Sequence, residues 1–198
     1  MIFDNILIQG ARQGIIPART VAARDWYRQA AGKLTSNITP GVFEKRTDEA
    51  RKVSSMEFGY MYAFKYDPKT KNDLPYYDTF PLIFPVRMDS DGFLGINFHY
   101  LPPVLRAKLM NALYSTLTNK KYDDTTKVKI SYSILQSASK YRYFKPMLKK
   151  YLRSHVRSQF LEVQVNEWDI AIFLPTESFR KADTGRVWEE SRKQIGRT

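Results

Sequence analysis

Between residues 58 and 118 the hydrophobic pattern changes period, and that change restricts the folds open to the chain. Over 58–66, Tyr60, Tyr62, Phe64 and Tyr66 alternate with Met61, Ala63 and Lys65, the pattern of a strand buried on at least one face. Past Pro102 and Pro103, Leu105, Leu109, Leu113 and Leu117 recur every four residues, so the prolines open a helix with one apolar stripe. Strands and helices in this order predict an α+β fold, an antiparallel sheet flanked by helices.

The remaining elements follow from the same two periods. Residues 80–87 and 93–100 flank Asp89-Ser90-Asp91-Gly92, which predicts a hairpin over about 80–100 with Gly92 at positive φ in a bulged turn. Pro81 and Pro85 lack ladder donors and put the first of these strands at an edge. Leu161, Val163 and Val165, then Trp168, Ile170, Ile172 and Leu174, alternate around Asn166-Glu167 and predict a second hairpin over about 160–174. Val128, Ile130, Tyr132 and Ile134 alternate like a strand, yet Val128, Tyr132, Leu135 and Ala138 also fit a helix capped by Asp123-Asp124, and the helix is preferred. Pro146 opens a helix through Arg157 that buries Leu148, Leu152 and Val156, and 184–195 forms a short final helix. In domain terms, 1–34 is a helical segment ending near Gly32, 35–57 an exposed polar connector, and 58–198 the globular α+β domain.

Almost all of the excess positive charge sits in one region. The 198 residues carry 32 Lys and Arg against 20 acids, a formal charge of +12. Residues 101–161 hold 13 of those bases and only Asp123 and Asp124, while the rest of the chain has 19 bases against 18 acids. An acidic partner such as nucleic acid is favoured. Cysteine is absent, which excludes disulfides, thiol nucleophiles and Cys-ligated metal sites. The longest strictly apolar run is Ile170 to Leu174, five residues, against the roughly 20 that span a bilayer. Met1-Ile2-Phe3-Asp4-Asn5 lacks a basic leader, so a soluble protein made and used inside a cell is expected, without a membrane span.

Two basic groups are candidate binding surfaces. Lys127, Lys129, Lys140, Arg142, Lys145, Lys149, Lys150, Arg153 and Arg157 lie between Asp124 and Glu162 with no acid among them, and Tyr132, Tyr141, Tyr143, Phe144 and Tyr151 are interspersed. On the expected helix Lys149, Arg153 and Arg157 form an i, i+4, i+8 stripe suited to a phosphate backbone, with tyrosines for unpaired bases. A solvated helix face, or a face for an acidic protein, explains the same residues. Arg19, Arg24, Trp26, Tyr27 and Arg28 have the composition of a protein-interface hot spot, and an ordinary charged helix face is the plainer account. Tyr76 and Tyr77 begin an aromatic, proline-rich stretch to Pro85 that suits an interface of rigid side chains or an internal core.

Catalytic constellations are weak. His99 and His155 are the two histidines, too few for a His-rich metal site. Asp89-Ser90-Asp91-Gly92 opens like a calcium loop, but position twelve is Tyr100 and not Glu. Asp67, Asp73 and Asp78 offer a magnesium set for phosphodiester chemistry, although their Pro-rich context reads as turns. No phosphate-loop, dinucleotide or serine-elbow motif is present. The expectation is no enzyme and no cofactor, with a nuclease-like activity as a distant third reading.

A resemblance adds context. Pro17-Ala18-Arg19-Thr20, Arg24-Asp25-Trp26-Tyr27-Arg28, Tyr66-Asp67-Pro68-Lys69, Leu74-Pro75-Tyr76-Tyr77-Asp78, Phe80-Pro81-Leu82 and the run from Gly95 to Pro103 resemble small proteins of T4-like contractile-tailed bacteriophages, over most of the chain. The resemblance implies a structural or assembly protein of the virion in baseplate, tail or neck, made in the host cytoplasm. It would contact other phage structural proteins within a symmetric multi-subunit assembly. The competing expectation is a phage DNA-binding protein, for example one that binds genome ends.

Overall fold

A computed structural model describes residues 2–15, 20–33, 39–46, 51–117, 119, 121–140 and 142–196. Among them, seven helices surround a six-stranded antiparallel sheet and a small two-stranded one, the α+β fold that the change of period predicts. The chain opens with α1 (Ile2–Arg12) and α2 (Val21–Gly32), the latter capped where the Thr20 hydroxyl accepts from the Ala23 N–H at 3.1 Å. Then come α3 (Pro40–Arg46), β1 (Lys52–Val53), β2 (Met61–Ala63), β3 (Tyr77–Asp78), β4 (Leu82–Met88) and β5 (Gly92–Asn97). The second half holds α4 (Pro103–Leu117), α5 (Asp124–Lys140), β6 (Leu148–Leu152), β7 (Phe160–Val163), α6 (Trp168–Ala171), β8 (Phe179–Arg180) and α7 (Thr184–Gly196). Within 35–57, read as an exposed connector, Phe43 is buried edge-on against Phe3 and Phe80, and Arg51 pairs with buried Glu167 at 2.6 Å. Residues 34–38 and 47–50 lie outside the described ones.

Four local expectations are corrected. β4 is not an edge strand: the order is β1-β7-β2-β4-β5-β6, and its proline is accommodated by a bulge between Pro85 and Arg87. Gly92 does not take positive φ, which among described glycines occurs at Gly14 and Gly59. It is needed for close approach, since a Cβ there would lie 2.0 Å from the Tyr151 carbonyl oxygen. The helix expected over 146–157 is strand β6 between two 3-10 turns, 142–147 and 153–155. Finally, 160–174 is not a hairpin, because β7 is followed by a 3-10 turn and by α6, whose residues are all buried.

The sheet curls. β6 and β7 stand at opposite sides of β2, β4 and β5 in the sheet order, yet Val156 already bridges Tyr66, at the extension of β2, only four residues after Leu152. Four residues reach at most about 14 Å, less than the roughly 19 Å of four strand spacings in a flat sheet. Curvature brings the ends together, and the Leu152 N–H donates to the Tyr66 hydroxyl across the gap at 3.0 Å. Alternation along β2 then supplies two cores. Met61 and Ala63 face the helices with Phe84, Leu113 and Trp168, while Tyr62, Phe64 and Tyr66 join Phe93, Tyr151 and Phe160 inside the curl. The Phe64 ring meets Phe93, Tyr151 and Phe160 near-perpendicularly at 5.2–5.7 Å, an arrangement worth about 0.5–1.5 kcal/mol per pair beyond area burial.

Candidate nucleic-acid interface

The nine bases between Asp124 and Glu162 do not form one stripe. Lys127 and Lys129 ride on α5, Lys145 on the turn 142–147, Lys149 and Lys150 on β6, Arg153 in the turn after it and Arg157 beyond. The side chains of Lys140 and Arg142 lie outside the described ones. Lys150 is neutralised by Asp91 at 2.9 Å, and Arg157 lies 4.0 Å from Asp67. Lys129, Lys145, Lys149 and Arg153 have no ion-pair partner among the described residues.

The Arg and Trp group is an internal interface. Arg28 donates to Asp169 of α6 at 2.9 Å and to Asn111 of α4 at 3.0 Å, Arg24 is buried with its guanidinium 5.4 Å from the centre of the Tyr114 ring, and Tyr27 donates to the Ile15 carbonyl at 3.2 Å. Trp26 is half-buried, edge-on to Tyr27. These side chains dock α2 on its own protein, and Arg19 lies outside the described residues. Burial pushes the Asp169 carboxyl up, and the Arg28 guanidinium pulls it only part of the way back.

The tyrosines find a different use. The segment from Asp67 to Tyr76 folds over β6, held by its own turn, by an Asp67–Lys71 ion pair at 2.8 Å and by Lys181, which donates to the Asn72 and Leu74 carbonyls. Between this cover and the strand is a cavity of about 420 Å³, within the range of small-ligand sites. Tyr66, Tyr76, Tyr77, Tyr100 and Tyr151 line it with Lys69, Lys149 and Lys150. Lys149 shares the inner face of the curl with Tyr151, two residues on. Its ammonium therefore lies 4.0 Å from the centre of the Tyr100 ring, and burial pushes its pKa down to about 8.

Beneath the cavity lies a satisfied polar network. Asp78 accepts from the Phe80 N–H at 3.0 Å, the Ser178 N–H at 3.4 Å, Asn97 Nδ2 at 3.0 Å and His99 Nδ1 at 2.7 Å. Burial pushes its carboxyl up, but His99, Asn97 and the Phe80 N–H outweigh that and hold it below the usual range. His99 Nε2 lies 3.2 Å from the Thr176 hydroxyl. This order imitates an acid–base–hydroxyl relay, yet Asp78, His99 and Thr176 are 3%, 0% and 3% exposed, so no substrate reaches the hydroxyl. The three residues brace β3, the turn 98–100 and the segment before β8. Asp67 and Asp78 are thus engaged separately, and no group of three metal-ligating side chains converges among the described residues.

Tyr66, Lys69 and Tyr100 complete the cavity although nothing in their local sequence marks them as site residues. Three of the phage-like phrases, those around Tyr66, Tyr76 and Tyr100, meet there and at the network below.

No curated protein and no solved structure matches the chain. A model of the family described as the phage T4 terminal DNA protecting protein matches residues 28–191. That match overturns the expectation of a tail, baseplate or neck component, because the family is described by protection of DNA ends and not by a structural part of the particle. It agrees with the bacteriophage context and with the competing DNA-binding expectation. Since residues 28–191 make up well over half of the sequence, the chain belongs to the phage T4 terminal DNA protecting protein family.

Proposed function

We propose that the protein binds the ends of linear duplex DNA and shields them, without cutting the DNA. Family membership across residues 28–191 is the observation that carries this reading. The charge distribution supports it: Lys129, Lys145, Lys149 and Arg153 are free of carboxylates among the described residues, so their charge remains available to phosphates. Tyr77, the least buried of the tyrosines that line the cavity with Lys149, offers ring surface of the kind on which terminal bases stack. On this reading the protein is made in the host cytoplasm and travels in the virion on the packaged genome. No described helix is long and apolar enough to cross a membrane.

The test compares linear and covalently closed circular duplexes of one sequence. Linear DNA is expected to bind more tightly and to resist exonuclease when the protein is present. Equal binding of both forms, with no protection of the linear one, refutes the proposal. Cleavage of either form in magnesium that disappears in Asp67→Ala or Asp78→Ala refutes the non-catalytic part.

A further inference from the structure

The cavity beside β6 combines three properties. It is concave, it is walled by aromatic rings, and it contains a cation with no anion. The Lys149 ammonium stands 4.0 Å from the centre of the Tyr100 ring and has no carboxylate partner among the described residues. Its neighbour Lys150 is the contrast, paired with Asp91 at 2.9 Å. Asp78 is the acid nearest the floor, and four donors already take up its oxygens. Among the described residues Lys149 therefore has no counter-charge, and a half-buried cation without one is a site for an anion from outside.

The size and shape say which anion. A phosphodiester inside a duplex is flanked by nucleotides on both sides and carries one negative charge, so it suits an open ridge. A cavity of about 420 Å³ admits a group that ends a chain. A terminal phosphomonoester carries about −1.5 to −2 at neutral pH, offers three oxygens, and brings one nucleoside with an aromatic face. The walls match both parts: Lys149 inside and exposed Lys69 at the rim for the phosphate, and Tyr77, the least buried of the lining tyrosines, for the nucleoside.

We propose that this cavity receives the terminal phosphomonoester of a DNA strand, with Lys149 as its counter-charge and the Tyr77 ring against the last nucleoside. The inference rests on the reading that the protein binds DNA ends, and gives that reading its ligand. A charge-assisted contact of this kind is worth about tenfold or more in affinity.

The experiment measures binding of the full chain to blunt duplexes of one sequence that end in 5′-phosphate, in 3′-phosphate or in hydroxyls only. A closed circle of the same DNA is the reference for ends. Wild type is expected to bind one of the phosphorylated duplexes about tenfold more tightly than the hydroxyl-ended one. Lys149→Met, which keeps the apolar stem and removes the charge, should lose that preference, and Lys45→Met, an equal loss of charge at an exposed site outside the two basic groups, should keep it. The wild-type protein gives a second readout that needs no variant. As pH rises above about 8, where Lys149 loses its proton, the preference should fade while binding of the hydroxyl-ended duplex holds. Burial keeps Tyr66, Tyr76, Tyr100 and Tyr151 protonated there, Asp78 stays ionised, and Asp91 holds Lys150 charged.

Two outcomes overturn the inference: indifference of wild type to terminal phosphate, or a preference that survives both Lys149→Met and high pH. Indifference to phosphate with a retained preference for linear over circular DNA removes this inference and leaves end binding standing. Equal binding of linear and circular DNA removes both.

Discussion

Lys149 and Tyr100 are joined by a cation over a ring, at 4.0 Å, in a place where the described residues supply no acid for the cation. The pair lies where β6 runs beneath the segment that follows Tyr66, so neither residue is placed without the other half of the chain. Keeping a charge there lowers stability, and that cost is measurable.

Lys149→Met should raise thermal stability at pH 7, by about 1–3 kcal/mol, as a displaced pKa of this size implies. The sign follows from linkage. Below about 8 the folded and unfolded states both hold the proton and the full burial cost applies. Between about 8 and the model-compound value of 10.5 the unfolded chain binds more protons, so wild-type stability rises with pH through this contribution. The gap between variant and wild type should therefore narrow over that interval in denaturant titrations. A variant less stable than wild type at pH 7 contradicts the buried-charge account.

Asp78→Ala should cost about 3–5 kcal/mol, because His99, Asn97 and two backbone N–H groups lose a buried acceptor. Thr176→Val removes one contact at the network's end and should cost much less. The Asp78 carboxyl is held below its ordinary 3.8, so its contribution is complete above that pH and is lost as pH falls through the folded value. Chemical denaturation at pH 7 and in acid checks both statements. Equal losses in the two variants would contradict the central place of Asp78.

Phosphate contacts release counterions, so the salt dependence of DNA binding counts them at about 0.9 in log–log slope per contact. Replacing Lys69, Lys149 and Arg153 together by Gln should flatten the slope by about 2.7 if each touches one phosphate. The same change at exposed Lys45, Lys121 and Arg192 lowers the net charge equally and should leave the slope nearly unchanged. Equal flattening would mean that total charge, and not this edge of the sheet, governs binding.

Gly92→Ala forces a methyl group to within 2.0 Å of the Tyr151 carbonyl. The β5–β6 pairing must shift, at a cost of about 1–3 kcal/mol, and Lys149 shifts with it. Stability and the phosphate preference should fall together. Gly32→Ala, which meets nothing within 4 Å, should leave both intact.

How much of this is legible in the sequence depends on whether a pattern has one meaning. The Leu105–Leu117 stripe marks α4 because it runs on behind two prolines for longer than a strand, and the alternation around Tyr62 marks β2. Leu148 and Leu152 are four apart, which is one helical turn but also two strand periods, so their spacing fits β6 as well as a helix. Lys149 and Arg153 carry the same ambiguity. Trp168, Ile170, Ile172 and Leu174 alternate as if in a strand, but Asp169 and Ala171 between them are buried as well, so no polar face reveals α6. Asp169 is buried because Arg28 reaches it across 141 residues. The cavity is illegible for the same reason: Lys69, Tyr100 and Lys149 meet only through the curl of the sheet, while the nine bases announce charge without saying which are neutralised at home.

The pairing of Met61 with Val163 and of Tyr62 with Glu162 also sets an order of events during folding. The β4–β5 hairpin closes locally, whereas β7 must return across about a hundred residues to join β2, a slow step for entropic reasons. Until it does, Val156 and Leu152 are not held at Tyr66 and the sheet has no reason to curl. A chain that lacks β7 thus has the bases but not the contacts that close the sheet, and the proposed site for a strand terminus depends on that closure.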